Sequence, residues 1–141
     1  MRLRTDIARR LADVPARDWD ALDASGNPFL SHAFLEALEA CDCVGEASGW
    51  EPRHLLLRDE RDRLVGAVPR YQKAHSWGEF VFDWSWAQSY ARAGLAYYPK
   101  LLAAVPFTPV VGPRLLVHRG PHAATLRAAL AGTGDIAAST I

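Results

Sequence analysis

Two apolar runs joined by a short charged turn constrain this chain more than any other feature. Residues 53–58 read RHLLLR, residues 59–63 read DERDR, and residues 64–71 read LVGAVPRY. Strand-length segments this close together specify an antiparallel hairpin. The unbroken HLLL centre predicts a buried strand. Pro69 cannot donate to a ladder, so it marks an edge, a bulge or the end of the returning strand.

The chain before the hairpin reads as a short strand over residues 2–8 and then two helices. Pro15 suits a first helical turn, and Trp19 with Leu22 supplies an apolar face for a helix ending near Ser25-Gly26. Asn27-Pro28 restarts the chain. Ser31 caps the second helix, with Phe34, Leu38 and Cys41 on its apolar side, Ala37 beside them, and Glu36 and Glu39 facing water. Gly45 lies past its end. After the hairpin, residues 78–84 (GEFVFDW) read as an extended segment and residues 86–92 as a short helix ended by Gly94. Residues 101–105 and 115–117 read as strands. Between them Pro106, Pro109 and Pro113 impose an extended path outside any ladder. Gly120-Pro121 opens a helix running to about Ala131. Residues 135–141 then either pair as a strand stub or mark a fragment of a longer protein.

A length of 141 residues sets one ordinary domain, here residues 1–141. Half the residues are hydrophobic, which excludes a disordered composition. Basic and acidic residues balance at 16 each and form no basic block, so nothing favours DNA or RNA. No run reaches membrane-spanning length, and the N-terminal MRLRTDIARRLADV is no secretory signal. Cys41 and Cys43 lack a second cysteine pair, so a zinc site is unsupported. They read as reduced thiols in or near the core, which points to the cytoplasm.

Candidate chemistry concentrates in residues 71–114, which hold three of the five Trp and all four Tyr. Polar residues are interleaved with these rings, as in a ligand groove whose walls are aromatic. Tyr71, His75, Trp84 and Tyr98 are expected to line it. Lys73, Thr108 and Arg114 are further substrate-binding candidates. Acyl transfer to an amine needs a base, backbone N–H groups beside the donor carbonyl, and a seat for the donor's phosphates. Glu79, Asp83 and His75 are candidate bases. Glu79 and Asp83 fall on one side of an extended strand, about 13 Å apart, too far to share a proton. Asp83 is favoured because Trp84 and Trp86 flank it and exclude water. The proline-rich 106–113 segment offers unpaired N–H groups. Arg119 and Gly120, just before a helix start, are the candidate cofactor-phosphate contacts. His32 and His54 read as structural. His118 and His122 straddle Gly120-Pro121 and share no helical face, so no metal site is expected. No nucleophile elbow, Walker loop or dinucleotide fingerprint is present.

Ordered blocks resemble the FemAB-like predicted N-acyltransferases. They are NPFLSHAFL from Asn27, GWEPRHL from Gly49, GAVP from Gly66, GEFVFDW from Gly78, YYPKL from Tyr97, VPFTP from Val105 and GPRLL from Gly112. The resemblance implies the GNAT superfamily and an α+β fold, a mixed sheet flanked by helices, incomplete at its C-terminus. Such proteins are usually more than twice this length, with two GNAT-type domains in tandem. The present chain then corresponds to a single N-terminal domain. The implied function is N-acyl transfer of an acetyl, acyl or aminoacyl group to a small-molecule or peptide amine, with a cell-wall connection. The donor is acyl-CoA or aminoacyl-tRNA, with no permanently bound cofactor. The alternative is a non-catalytic module that binds a peptide or cell-wall fragment. An incomplete sheet also predicts an exposed edge open to homo-oligomer pairing.

Overall fold

The structure, a computed structural model, describes residues 2–73, 100–106, 112–132 and 137–138. The expected strand at 78–84 and helix at 86–92 lie outside the described residues. The described strands are β1 (Arg4–Ala8), β2 (Trp50–Pro52), β3 (His54–Arg58), β4 (Leu64–Val68), β5 (Arg70–Lys73), β6 (Lys100–Ala103), β7 (Leu116–Val117) and β8 (Ala137–Ala138). The helices are α1 (Ala16–Asp20), α2 (His32–Ala40) and α3 (Ala123–Ala131), with 3-10 turns at Leu11–Asp13 and Pro28–Leu30. The result is the α+β fold of mixed sheet and flanking helices that the resemblance implied.

The strands form two sheets, ordered β1-β3-β4-β7 and β2-β5-β6-β8. The expected hairpin is β3–β4, with Leu55 opposite Val68 and Leu57 opposite Gly66. Its turn is held by Asp59, whose carboxylate accepts from the backbone N–H of Arg61 and Arg63 and from the Arg63 side chain. β1, the short strand expected near the N-terminus, pairs antiparallel with β3. The C-terminal stub pairs as well: β8 lies parallel to β6, with Leu102 opposite Ala137.

Pro69 separates β4 from β5, and Arg53 separates β2 from β3, so two long strands cross from one sheet to the other at the same level. A ladder cannot run through Pro69, which has no N–H. Side chains take over there. Arg53 N donates to Arg70 O at 2.8 Å. Arg70 Nε returns a bond to Arg53 O at 2.8 Å. Arg70 N donates to His54 Nδ1 at 3.2 Å.

Helices cover both faces of the first sheet, which is why HLLL shows no alternation. Leu56 and Ala67 pack with Leu11, Trp19, Leu22, Leu30 and Leu35 beneath α1 and α2. Leu55, Leu57 and Val68 pack on the opposite face with Leu126 and Leu130 of α3. Trp50, Tyr71, Leu102, Val44 and Ala104 form a third cluster on the second sheet. The helix after Pro15 ends earlier than expected, at Asp20, and α3 starts at Ala123.

The expected face of α2 is partly corrected. Leu35 is its buried residue, while Phe34 and Leu38 are only partly covered and Cys41 is exposed. Glu39, expected in water, turns inward. Its Oε1 accepts from Leu11 N at 2.8 Å and its Oε2 meets His54 Nε2 at 2.9 Å. Glu39 stands four residues after Leu35, on the same helical face, so the burial of one carries the other. Because Arg70 N–H can only donate, His54 Nδ1 is the acceptor and Nε2 carries the proton toward Glu39. The contact is therefore a hydrogen bond to a carboxylate from a neutral, fully buried ring.

Glu39→Gln tests this arrangement. The amide oxygen can still accept from Leu11 N, but its NH2 group then faces the His54 N–H. Reversing the His54 tautomer only moves the clash to Arg70 N–H. One buried donor is left without an acceptor, which costs about 1–3 kcal/mol. Urea denaturation is expected to show that loss with an unchanged slope.

Candidate functional site

The segment between α1 and α2 folds back on itself and leaves a cleft of about 490 Å³ facing Arg119. That volume falls within the range of small-ligand sites. Local chemistry builds its walls. Ser25 and Gly26 both adopt left-handed φ values, 53° and 70°, which turns the chain sharply. Asn27 Oδ1 accepts from Phe29 N at 3.0 Å and starts the 3-10 turn. Ser31 Oγ accepts from Phe34 N at 3.2 Å, the cap expected for α2. Asp20 Oδ1 accepts from His32 N at 2.9 Å and satisfies a second donor at that helix start. Trp19 Nε1 donates to Leu30 O at 2.9 Å beneath the cleft. Gly112 backs onto Asn27 so closely that a Cβ there would lie 2.6 Å from the Asn27 amide nitrogen.

Asp23 links this cleft to the end of the sheet. Its N–H donates to Val117 O of β7 at 2.9 Å. Its carboxylate accepts from Ser25 N at 3.0 Å and from Arg119 at 3.1 Å. The Ser25 hydrogen bond, reinforced by Arg119, holds the Asp23 carboxyl below its ordinary value. Arg119 follows β7 after His118, and its side chain is 80% exposed. Gly120 then takes a φ of 140° and its carbonyl accepts from Ala123 N, which starts α3. The two residues read as phosphate contacts thus sit between a strand end and a helix N-terminus. Arg119 opens onto the cleft.

The other candidates are placed differently. Tyr71 and Lys73 are fully buried. The Tyr71 ring lies edge-on to Trp50 and His54, with centroids 5.5 Å and 5.2 Å away. Its hydroxyl is buried without a hydrogen-bond partner among the described residues, and burial raises its pKa, with the Glu39 charge adding to the effect. Lys73 Nζ sits 4.0 Å from the Trp50 ring centroid. These two side chains belong to a packed aromatic cluster rather than to an open wall. Arg114 is half-buried and donates to Gly112 O at 3.3 Å, and burial lowers its pKa. His75, Glu79, Asp83, Trp84, Tyr98 and Thr108 lie outside the described residues. The histidines read as structural are so: His32 Nε2 lies 2.8 Å from the carbonyls of Leu11 and Val14. Among the described residues no three metal-ligating side chains gather, and no helix is long and apolar enough to cross a membrane.

Sequence reasoning missed the cleft. Asp20 and Asp23 carried no motif, and Asn27 and Ser31 were legible only as turn and cap residues. Their convergence with Arg119 spans 96 positions between Asp23 and its partner. The run DALDASGN, with two acids and turn formers before a proline, was the available signal.

The Asp23 pairing has a pH signature. A carboxyl depressed below its ordinary 3.8 stabilises the fold above that value and loses the contribution as pH falls through the folded pKa. Asp59 has the same sign. Asp23→Asn is therefore expected to lower the denaturation midpoint at neutral pH and to converge with the parent protein in acid. A residual acid slope from Asp59 should remain. A constant gap between the two proteins at every pH would contradict the pairing.

Comparison with known proteins adds one match. The FemAB-like family model, described as peptidoglycan biosynthesis/recognition, matches residues 10–140. No curated protein and no solved structure matches the chain. With a match over nearly its whole length, the chain belongs to the FemAB-like family.

Proposed function

We propose that this chain takes part in transferring an acyl or aminoacyl group from a phosphate-bearing donor to an amine. One observation carries the reading: β7, a strand of the antiparallel first sheet, leads through Arg119-Gly120 into α3, so the N-terminus of that helix lies just past the strand's carboxyl end. The N–H groups and dipole of a helix N-terminus favour phosphate. Arg119 supports the reading. Its bond to Asp23 is largely exposed, and exposed pairs contribute only about 0–1 kcal/mol, so a phosphate can compete for the guanidinium. Acyl-CoA is the first donor to consider and aminoacyl-tRNA the second.

The adjoining cleft suits the acceptor. Asp20 and Asp23 line it, and a carboxylate held in its charged form attracts an ammonium group. The same depressed pKa makes Asp23 a poor proton acceptor, since an effective base titrates near the working pH. The base is therefore sought elsewhere, and Asp83 is our assignment. In the step itself the neutral amine attacks the donor carbonyl carbon. Asp83 takes the amine proton and passes it to the departing sulfur or oxygen, so that the donor leaves as a thiol or hydroxyl. The charged cleft also favours a second reading, a module that binds an amine-bearing cell-wall peptide without turnover.

Calorimetric titration with acetyl-CoA tests the donor site. Arg119→Ala removes charge-assisted bonds of about 1.5–3 kcal/mol, a loss of roughly tenfold or more in affinity. Unchanged affinity in the variant would remove Arg119 from the site. Saturable binding of a muropeptide amine with no response to acetyl-CoA or aminoacyl-tRNA would favour the binding module.

Asp83→Asn tests the base in a separate measurement. It is expected to leave donor affinity intact and to slow turnover by about 10²–10⁴-fold. Full turnover across pH in a folded variant would eliminate Asp83.

A further inference from the structure

The thiols of Cys41 and Cys43 lie 2.7 Å apart, and both residues are exposed. A continuing helix would have pointed them in different directions. The helix instead ends at Ala40, Cys41 caps it, and Asp42 takes a left-handed φ of 58°. That single residue reverses the path and brings the second sulfur onto the first. The expectation of thiols in or near the core is corrected by the same turn, which projects both outward.

This turn is bonded to the end of α2. Asp42 N donates to Glu39 O, and Cys43 N and Val44 N both donate to Leu38 O. Glu39 in turn holds Leu11 N and His54 with its carboxylate. We propose that Cys41 and Cys43 form a reversible dithiol–disulfide site whose oxidation is felt by the Glu39–His54 contact at the seam between the sheets. The oxidant is a small-molecule disulfide. One cysteine thiolate attacks it, a mixed disulfide forms and one small thiol leaves. The other cysteine, as thiolate, attacks the mixed disulfide at the protein sulfur, and the second small thiol leaves. The cysteines lose two electrons and two protons, and the small disulfide gains both.

The tight pairing makes the second step intramolecular and fast, so the mixed adduct should not accumulate. The protein is equilibrated with oxidised and reduced glutathione at several ratios, quenched with acid, and analysed by intact mass and peptide mapping. The expected product has lost two hydrogens, carries no glutathione, and maps to one peptide holding both cysteines. Cys41→Ser and Cys43→Ser should each stop at the glutathione adduct. The amide resonances of Leu11 and Arg70 should shift on oxidation of the parent protein and stay fixed in both variants under the same treatment. A stable glutathione adduct in the parent protein, disulfide-linked dimers, or a thiol pair that stays reduced while the unfolded chain oxidises would each overturn the proposal. So would an intramolecular disulfide that leaves both resonances unmoved.

Discussion

The carboxylate of Glu39 is the contact on which the seam of this fold depends. It joins the N-terminal 3-10 turn, through Leu11 N, to the first residue of β3, through His54. His54 passes the connection to Arg70 N, at the point where Pro69 has removed a ladder donor. Three segments far apart in the chain therefore meet through one part-buried acid and one buried imidazole. Hydrogen bonds to charged groups contribute about 1.5–3 kcal/mol each, a sizeable part of the net stability of a small domain. Trp19, 5.9 Å from His54, and Tyr71 close the sides of this polar chain against water.

The same architecture also positions the candidate cleft. By letting two long strands change sheets, it leaves α1 and α2 on one face of the first sheet and α3 on the other. The end of β7 then emerges between them. Asp23 from one side and Arg119 from the other meet at that strand end. The cleft is thus a product of layer packing, and its polar groups double as caps and turn formers. Capping residues are held rigidly by the helices they start, and a site built on them needs little further ordering to bind.

The FemAB-like family model matches residues 10–140, nearly the whole chain. The family description names peptidoglycan biosynthesis or recognition, and in our proposal the cleft lined by Asp20, Asp23 and Arg119 receives an amine in either case. What separates the two is the donor. In our proposal the donor's phosphate is received at the Arg119-Gly120 turn, where an exposed guanidinium precedes a helix N-terminus.

Much of the fold was legible in the sequence because it rests on local rules. The DERDR turn, the Ser31 cap, the break at Pro69 and the end of α3 each follow from neighbours within a few residues. The tail was legible only as either a strand stub or part of a longer protein, and residues 137–138 pair as β8. The site was less so. Glu39 has the composition of a solvent-facing helical residue, and only His54, fifteen positions later, gives it a reason to turn inward. Asp23 and Arg119 meet because two layers close on one strand end, which no local pattern records. Tyr71 and Lys73 read as amphipathic groove residues, yet packing against Trp50 buries both. Periodicity and turn chemistry determined most of the elements among the described residues. Which polar groups became buried partners and which became a cleft was decided only when the layers packed, since a buried polar group is stable only where a distant partner satisfies it.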